Sequence, residues 1–418
     1  MKNYSVLGSI VLTAVFAPLA HAQSSRLLDA TFLEAVRAEV RTNHPSVAAA
    51  QARVQAAEAG VRAVRLWEDP SAGLGVMAAD RAKRQDDGNI IVLAEQALPR
   101  RKLYEARKTR AVAERSIFEA ETRLAALALE TLVTQDVVEL ALMDEMLAIQ
   151  TNQLGWLERM ATNARERLKD PTANVSEALR IESEVAQERQ KIDVTGRQRV
   201  RLRQQLNIFL GRATDSSWPV LRLPESASRT PALDGELSRL FQVNPMLRAL
   251  LNTARAATAD VEVARLERSP TFTVGVDSRI YSGGEFREAT VGAKMTLPWF
   301  NNSVYRASTE RARQQQVAAE REVEALGRKL RGEIVAAHIE AENAAHQADT
   351  FSKEVIPLAQ RAAESTQNTW ISSKASLLEV LEAQRALLNA QLEERRFVAA
   401  HQVALETLRS IVPPPIQP

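Results

Sequence analysis

Apolar residues recur at spacings of three and four along Leu129, Val133, Val137, Leu140, Met143 and Leu147, the stripe that one helix face presents. The stripe lies within residues 100–169, a stretch bounded by Pro99 and Pro171 that holds no proline and a single glycine, Gly155. Ala, Leu, Glu, Arg and Gln dominate it, and all are strong helix formers. It predicts one helix of roughly 70 residues, a rod about 100 Å long. That exceeds the ~30 Å hydrocarbon core of a bilayer, and charges from Glu105 to Arg167 keep the rod out of lipid. The stripe therefore needs neighbouring helices.

After Pro70 and Pro270 the period changes from helical to alternating. Phe272, Val274 and Val276 alternate with Thr273, Gly275 and Asp277. Beyond a Ser282-Gly283-Gly284 turn, Val291, Ala293, Met295 and Leu297 alternate with Thr290, Gly292, Lys294 and Thr296. The first half repeats this less cleanly on either side of a polar loop, residues 80–88. Two hairpins are predicted, with strands at about 71–79 and 89–98, and about 271–281 and 287–297.

The hairpins belong to an internal repeat. His44-Pro45 is matched by Asn244-Pro245, Asp69-Pro70 by Ser269-Pro270 and Gly75 by Gly275, each 200 residues apart. Leu98-Pro99 is matched by Leu297-Pro298 at 199, and residues 206–210 by 408–412 at 202. Each half reads as an alanine-rich first helix (46 to about 67; 246 to about 268), a hairpin, a very long helix and a returning helix (about 175–210; 377 to about 411). Pro357 predicts a kink inside the second long helix. The predicted organisation is a first structural repeat over 23–211, a linker or equatorial element over 212–231, a second repeat over 232–412 and a tail at 413–418. The Pro- and Ser-rich equatorial stretch fits helix, strand or neither.

About ten tilted residues suffice for a strand to cross an outer membrane. Trp67 lies just before the first hairpin and Trp299-Phe300 just after the second, where a barrel carries interfacial aromatics. Four strands cannot close, and an open edge cannot face lipid. The chain must then pool strands with copies of itself, as an obligate homo-oligomer. Asp277 and Lys294, on the polar strand faces, are candidate lumen residues.

Composition changes this picture little. The 418 residues are 25% charged with a formal net charge of +2, which gives no strong instruction toward nucleic acid. Cysteine is absent, excluding disulfides, thiolate metal sites and cysteine nucleophiles. Residues 1–22, with Lys2, an apolar run and Ala20-His21-Ala22, predict a secretory signal peptide. No window offers a spanning helix, so membrane entry would require a β-barrel.

Two tandem copies of this plan, with Leu297-Pro298-Trp299-Phe300-Asn301-Asn302 before an Arg- and Ala-rich helix, resemble the TolC family of outer-membrane efflux proteins over roughly residues 30–412. That run and Leu98-Pro99-Arg100-Arg101-Lys102-Leu103 are similar to those of heavy-metal-efflux members of the CzcC and CusC types. The resemblance implies a mainly α chain with a small β part, assembling as a homotrimer. Its 12-stranded outer-membrane β-barrel would continue as a periplasmic α-barrel. It implies a periplasmic membrane-fusion adaptor and an inner-membrane pump of the resistance-nodulation-division (RND) class as partners. Many relatives carry a lipidated N-terminal cysteine; this chain has none, so no such lipid anchor is expected.

Carried over residue by residue, the periplasmic gate falls on Lys169, Asp170, Asn174 and Ser176 in the first half and Ser373, Lys374, Ser376 and Glu379 in the second. Polar rings at a constriction set selectivity, although Asn174 and Ser176 equally fit a helix-capping role. The second turn lacks the aspartates that relatives often place there. His338 and His346 stand about 80° apart around a helix and no metal-ligand cluster is visible. No phosphate-cradling loop or nucleophile elbow is present either. The sequence predicts no catalytic residues, no metal site and no cofactor. It predicts a passive exit duct for heavy-metal cations, with drug efflux or type I secretion as alternatives. A soluble periplasmic coiled-coil adaptor or scaffold is the alternative of another class.

Overall fold

Two helical hairpins run away from a four-stranded sheet in the computed structural model, which describes residues 25–76, 88–168, 175–225, 227, 229–281, 286–372 and 374–414. The expected signal peptide, the loop over 80–87, the Ser282-Gly283-Gly284 turn and the last four residues of the tail lie outside these.

The first half begins with β1 (Ser25–Leu27) and α1 (Ala30–Asn43), then α2 (Pro45–Ala63). The hairpin follows as β2 (Ser71–Val76) and β3 (Gly88–Ala97), then α3 (Arg101–Arg167) and the returning α4 (Val175–Phe209). The short strand β4 (Val220–Arg222) separates the halves. The second half runs α5 (Leu233–Val243), α6 (Pro245–Glu267), β5 (Phe272–Tyr281), β6 (Phe286–Met295) and a 3₁₀ turn (Pro298–Asn301). It continues through α7 (Asn302–Thr350), a π turn (Phe351–Val355), α8 (Ile356–Ile371) and α9 (Leu377–Ile411).

Each half thus has a helix in front of the predicted first helix, α1 and α5. The junctions are alike because Pro45 and Pro245 each open the following helix, where a missing N–H costs nothing. The residues before them cap it: Ser46 N–H donates to His44 Nδ1 at 3.2 Å and Leu247 N–H to Asn244 Oδ1 at 2.8 Å. The returning helices are docked alike too. Asn43 donates to the Leu210 carbonyl at 3.3 Å and Asn244 to the Ile411 carbonyl at 2.8 Å.

The 67 residues of α3 keep their stripe covered by other helices. In the middle of the molecule Val133, Val137 and Leu140 are fully shielded by Phe32, Leu33 and Val36 of α1 and by Leu202 and Leu206 of α4, with Trp218, Leu221 and Leu223 alongside. The equatorial stretch is therefore a short strand with flanking loop. Strand β4 pairs in parallel with β1, Ser25 opposite Val220. A second core at the far end joins Leu157, Met160, Ile181, Val185, Trp370, Leu377 and Leu381 from α3, α4, α8 and α9. Where sequence predicts a kink, Pro357 sits in the first turn of α8 directly after the π turn. Proline clashes with the carbonyl four residues back, and a wider turn relieves that clash.

The sheet has the order β2-β3-β5-β6, antiparallel throughout. Strands β2 and β6 are its edges.

Candidate functional site

Side chains alternate across a pleated strand, so the register assigns each to a face. Ala94 stands opposite Ala72 and Val276, and Val276 opposite Val291. That face collects Leu74, Val76, Val92, Val274, Val276, Val291 and Met295. It is bare: Leu74 is 82% exposed, Val76 83% and Val291 73%. The reverse face holds Glu95, Thr273, Gly275, Asp277, Arg279, Glu288, Thr290, Gly292 and Lys294, with Ile91 and Leu93 at one side. Lys294 forms an ion pair with Glu95, and Arg279 faces Glu288 at 4.0 Å. Asp277 and Lys294, predicted as lumen residues, therefore share one face.

The sheet end nearest the helices is common to both hairpins, since Ser71 pairs with Glu95 and Phe272 with Met295. Trp67 and the Trp299-Phe300 pair stand there, each at least half exposed.

At the other end of the helices, Lys169, Asp170, Asn174 and Ser373 lie outside the described residues. Ser176 is exposed in the first turn of α4 and has a bonding partner. Lys374 is exposed between α8 and α9, its N–H donating to the Thr369 carbonyl at 3.0 Å. Ser376 and Glu379 form a capping box on α9. Glu379 N–H donates to Ser376 Oγ at 3.3 Å, and Ser376 N–H to Glu379 Oε2 at 3.1 Å. Both residues thus satisfy the helix end as well as standing at the tip.

Sequence reasoning missed the polar bonds that tie the two helical hairpins together. Trp156 of α3 donates to Gln367 of α8 at 3.3 Å, and Gln384 of α9 to Gln153 of α3 at 2.8 Å. Arg385 of α9 pairs with Glu184 of α4. These partners come from distant parts of the chain, and no local signal in the sequence points to them.

Halfway along, two consecutive carboxylates of α3 hold the equatorial strand. Leu221 N–H donates to Asp144 at 2.9 Å and Leu223 N–H to Glu145 at 2.8 Å. Arg199 clamps Asp144, while Arg395 reaches Glu145 and Glu394. Burial pushes the Glu145 carboxyl above its ordinary range, against the pull of Arg395 and the Leu223 N–H.

His338 and His346 share helix α7 without gathering a ligand set: among the described residues no group of three or more His, Asp or Glu could hold a metal ion. Nor, among those residues, is any helix long and apolar enough to cross a membrane.

Residues 237–412 match the family described as Outer membrane efflux protein. No curated protein matches the sequence. Among solved structures, VceC of Vibrio cholerae superposes with a TM-score of 0.76 at 16% identity, covering 91% of this chain and 96% of that one. CusC gives 0.76 at 17% identity with 91% of both chains covered. CmeC of Campylobacter jejuni, an outer membrane channel, gives 0.75 at 15%, covering 91% and 85%. At these identities the likeness is one of fold.

Proposed function

We infer that this chain is an outer membrane efflux channel, spanning the outer membrane and extending into the periplasm as the passive conduit of a tripartite efflux system. One observation carries the reading: a sheet with a bare apolar face also has two unpaired edges. Water does not tolerate the face, and lipid does not tolerate the edges. Copies of the chain joined from β6 to β2 satisfy both, with the apolar face outward and the charged face inward.

The resemblance implies three copies. Eight strands from two copies enclose a space that side chains just fill, whereas twelve leave a lumen. In this arrangement the sheet forms the outer-membrane barrel and the helices form the periplasmic tunnel. Trp67, Trp299 and Phe300 lie at the inner interface. Lys169, Asp170, Asn174, Ser176, Ser373 and Lys374 stand at the narrowing tip, with Ser376 and Glu379 shaping the turn. A periplasmic membrane-fusion adaptor and an RND-type inner-membrane pump deliver the solute, and the pump supplies the energy. Heavy-metal cations are the preferred cargo, on the strength of the 98–103 and 297–302 runs.

The test is the susceptibility of a strain lacking the chain to divalent metals, copper and silver, and hydrophobic drugs, with the intact chain restored as control. Rescued sensitivity confined to one metal group supports the reading. Sensitivity to drugs alone replaces the cargo. Recovery of the chain from the soluble periplasm without detergent would overturn the channel itself in favour of an adaptor or scaffold.

A further inference from the structure

The charges on the polar face of the sheet are not equivalent. Among its described residues, Glu95, Asp277 and Glu288 stand against Arg279 and Lys294. Lys294 is engaged by Glu95, and Arg279 faces Glu288. Two anions and two cations cancel in these pairs, and beyond a few ångströms each pair is nearly neutral to a passing solute. Asp277 is left over. It stands opposite Leu93 on one side and Thr290 on the other, neither of which carries charge. Its carboxylate makes no ion pair or hydrogen bond among the described residues.

Its surroundings leave it open to the lumen. Gly275 precedes it on the same face and pairs with Gly292, so β5 and β6 put no side chain of their own on the adjacent stretch of wall. A methyl group added at Gly292 would meet nothing within 4 Å. Gly275 has a further part, because its lack of a side chain lets Glu95 lie across β5 toward Lys294.

We propose that Asp277 sets the charge preference of the pore, each copy contributing one unpaired carboxylate to a ring that favours cationic solutes. The proposal rests on the channel reading, since the ring exists only when copies close into a barrel. Unpaired charge on a pore wall raises the local concentration of counter-ions and lowers that of co-ions. The effect extends over a screening length of ~10 Å at 0.1 M salt and further in dilute salt. Lys294, equally accessible by sequence, contributes little while Glu95 holds it.

The test is the reversal potential of the full chain in planar bilayers under a dilute potassium chloride gradient. The wild-type chain is expected to prefer cations. Asp277→Asn shifts the potential toward zero. Glu95→Gln, which releases Lys294, shifts it in the same direction, while the double variant Glu95→Gln/Lys294→Gln stays near wild type because one neutral pair replaces another. Asp277→Ser gives a second reading of the same position should the asparagine variant not assemble. Conducting Asp277 variants with the wild-type potential overturn the proposal and leave the channel reading standing. A wild-type chain that forms no conducting pore overturns the channel reading together with the ring.

Discussion

Lys294 of β6 reaches Glu95 of β3 across the intervening strand, over Gly275. The bond ties the first hairpin to the second, and it needs the missing side chain. A Cβ at position 275 would sit 3.0 Å from Glu95 Cγ and 3.3 Å from the Ala94 carbonyl oxygen. Gly275→Val should therefore force the two strands apart and cost about 1–3 kcal/mol, the usual range for overpacking. Gly292→Val, in open space on the same face, should change little. Urea midpoints of the two variants in detergent check this, and equal midpoints would contradict it.

Asn244 uses both ends of its side chain in a buried site, capping α6 through Leu247 and holding the last carbonyl of α9. Its counterpart His44 caps α2 at a half-buried junction and stacks its ring on Phe209, but it holds no carbonyl of the returning helix. Asn244→Ala removes a cap and orphans a buried carbonyl, about 2–4 kcal/mol together. His44→Ala should cost about 1 kcal/mol or less. Thermal unfolding of both variants is expected to show that order. A larger loss at position 44 would mean the two junctions are not energetically alike.

The plan of helix, hairpin, long helix and return was legible because its signals are local and periodic. Pro45 and Pro245 mark helix starts, the alternation after Pro270 marks strands, and the proline-free run into α3 marks a rod. The signals for α1 and α5 were present, in the Asp29 cap and the Phe32, Leu33, Val36 and Val40 stripe and in Leu233, Leu237 and Leu240, but each is a short segment lying directly before a proline-opened helix that drew the boundary to itself. Strand β1 has three residues, too few for a period, and its partner β4 lies far along the chain, between the two halves. The π turn before Pro357 followed from the proline only as a kink. At the site, alternation put Asp277 and Lys294 on one face, but Glu95 follows an almost unbroken apolar run, and no local pattern pairs it with Lys294. The bonds from Trp156, Gln384 and Arg385 depend on how two hairpins meet, which no single window contains.

Those three bonds join the first helical hairpin to the second near the tip. A hydrogen bond contributes about 0.5–1.5 kcal/mol net, and the half-exposed Arg385–Glu184 pair contributes at the low end, ~0.2–1 kcal/mol. Gln384→Ala with Arg385→Ala should therefore weaken the contact between the hairpins by about 1–2 kcal/mol, roughly a five- to thirty-fold shift in any equilibrium that separates them. In planar bilayers the double variant is expected to conduct more than wild type at equal voltage. Unchanged conductance would mean that these bonds do not restrict the pore.

Glu145 gives the molecule a pH dependence with a definite sign. Burial raises its carboxyl above the ordinary 4.5, so the folded chain holds that proton more tightly than the unfolded chain does. Such a group contributes its stability at low pH and loses it as pH rises from about 4.5 through the raised folded value. Glu145→Gln stays neutral and still accepts the Leu223 N–H, while Arg395 keeps Glu394 as a partner. The variant should gain on wild type between pH 4 and pH 7, with the gain largest at the upper end. Urea midpoints taken across that range test the sign. Parallel curves for the two proteins would mean that Arg395 and the strand N–H fully offset the burial of this carboxylate.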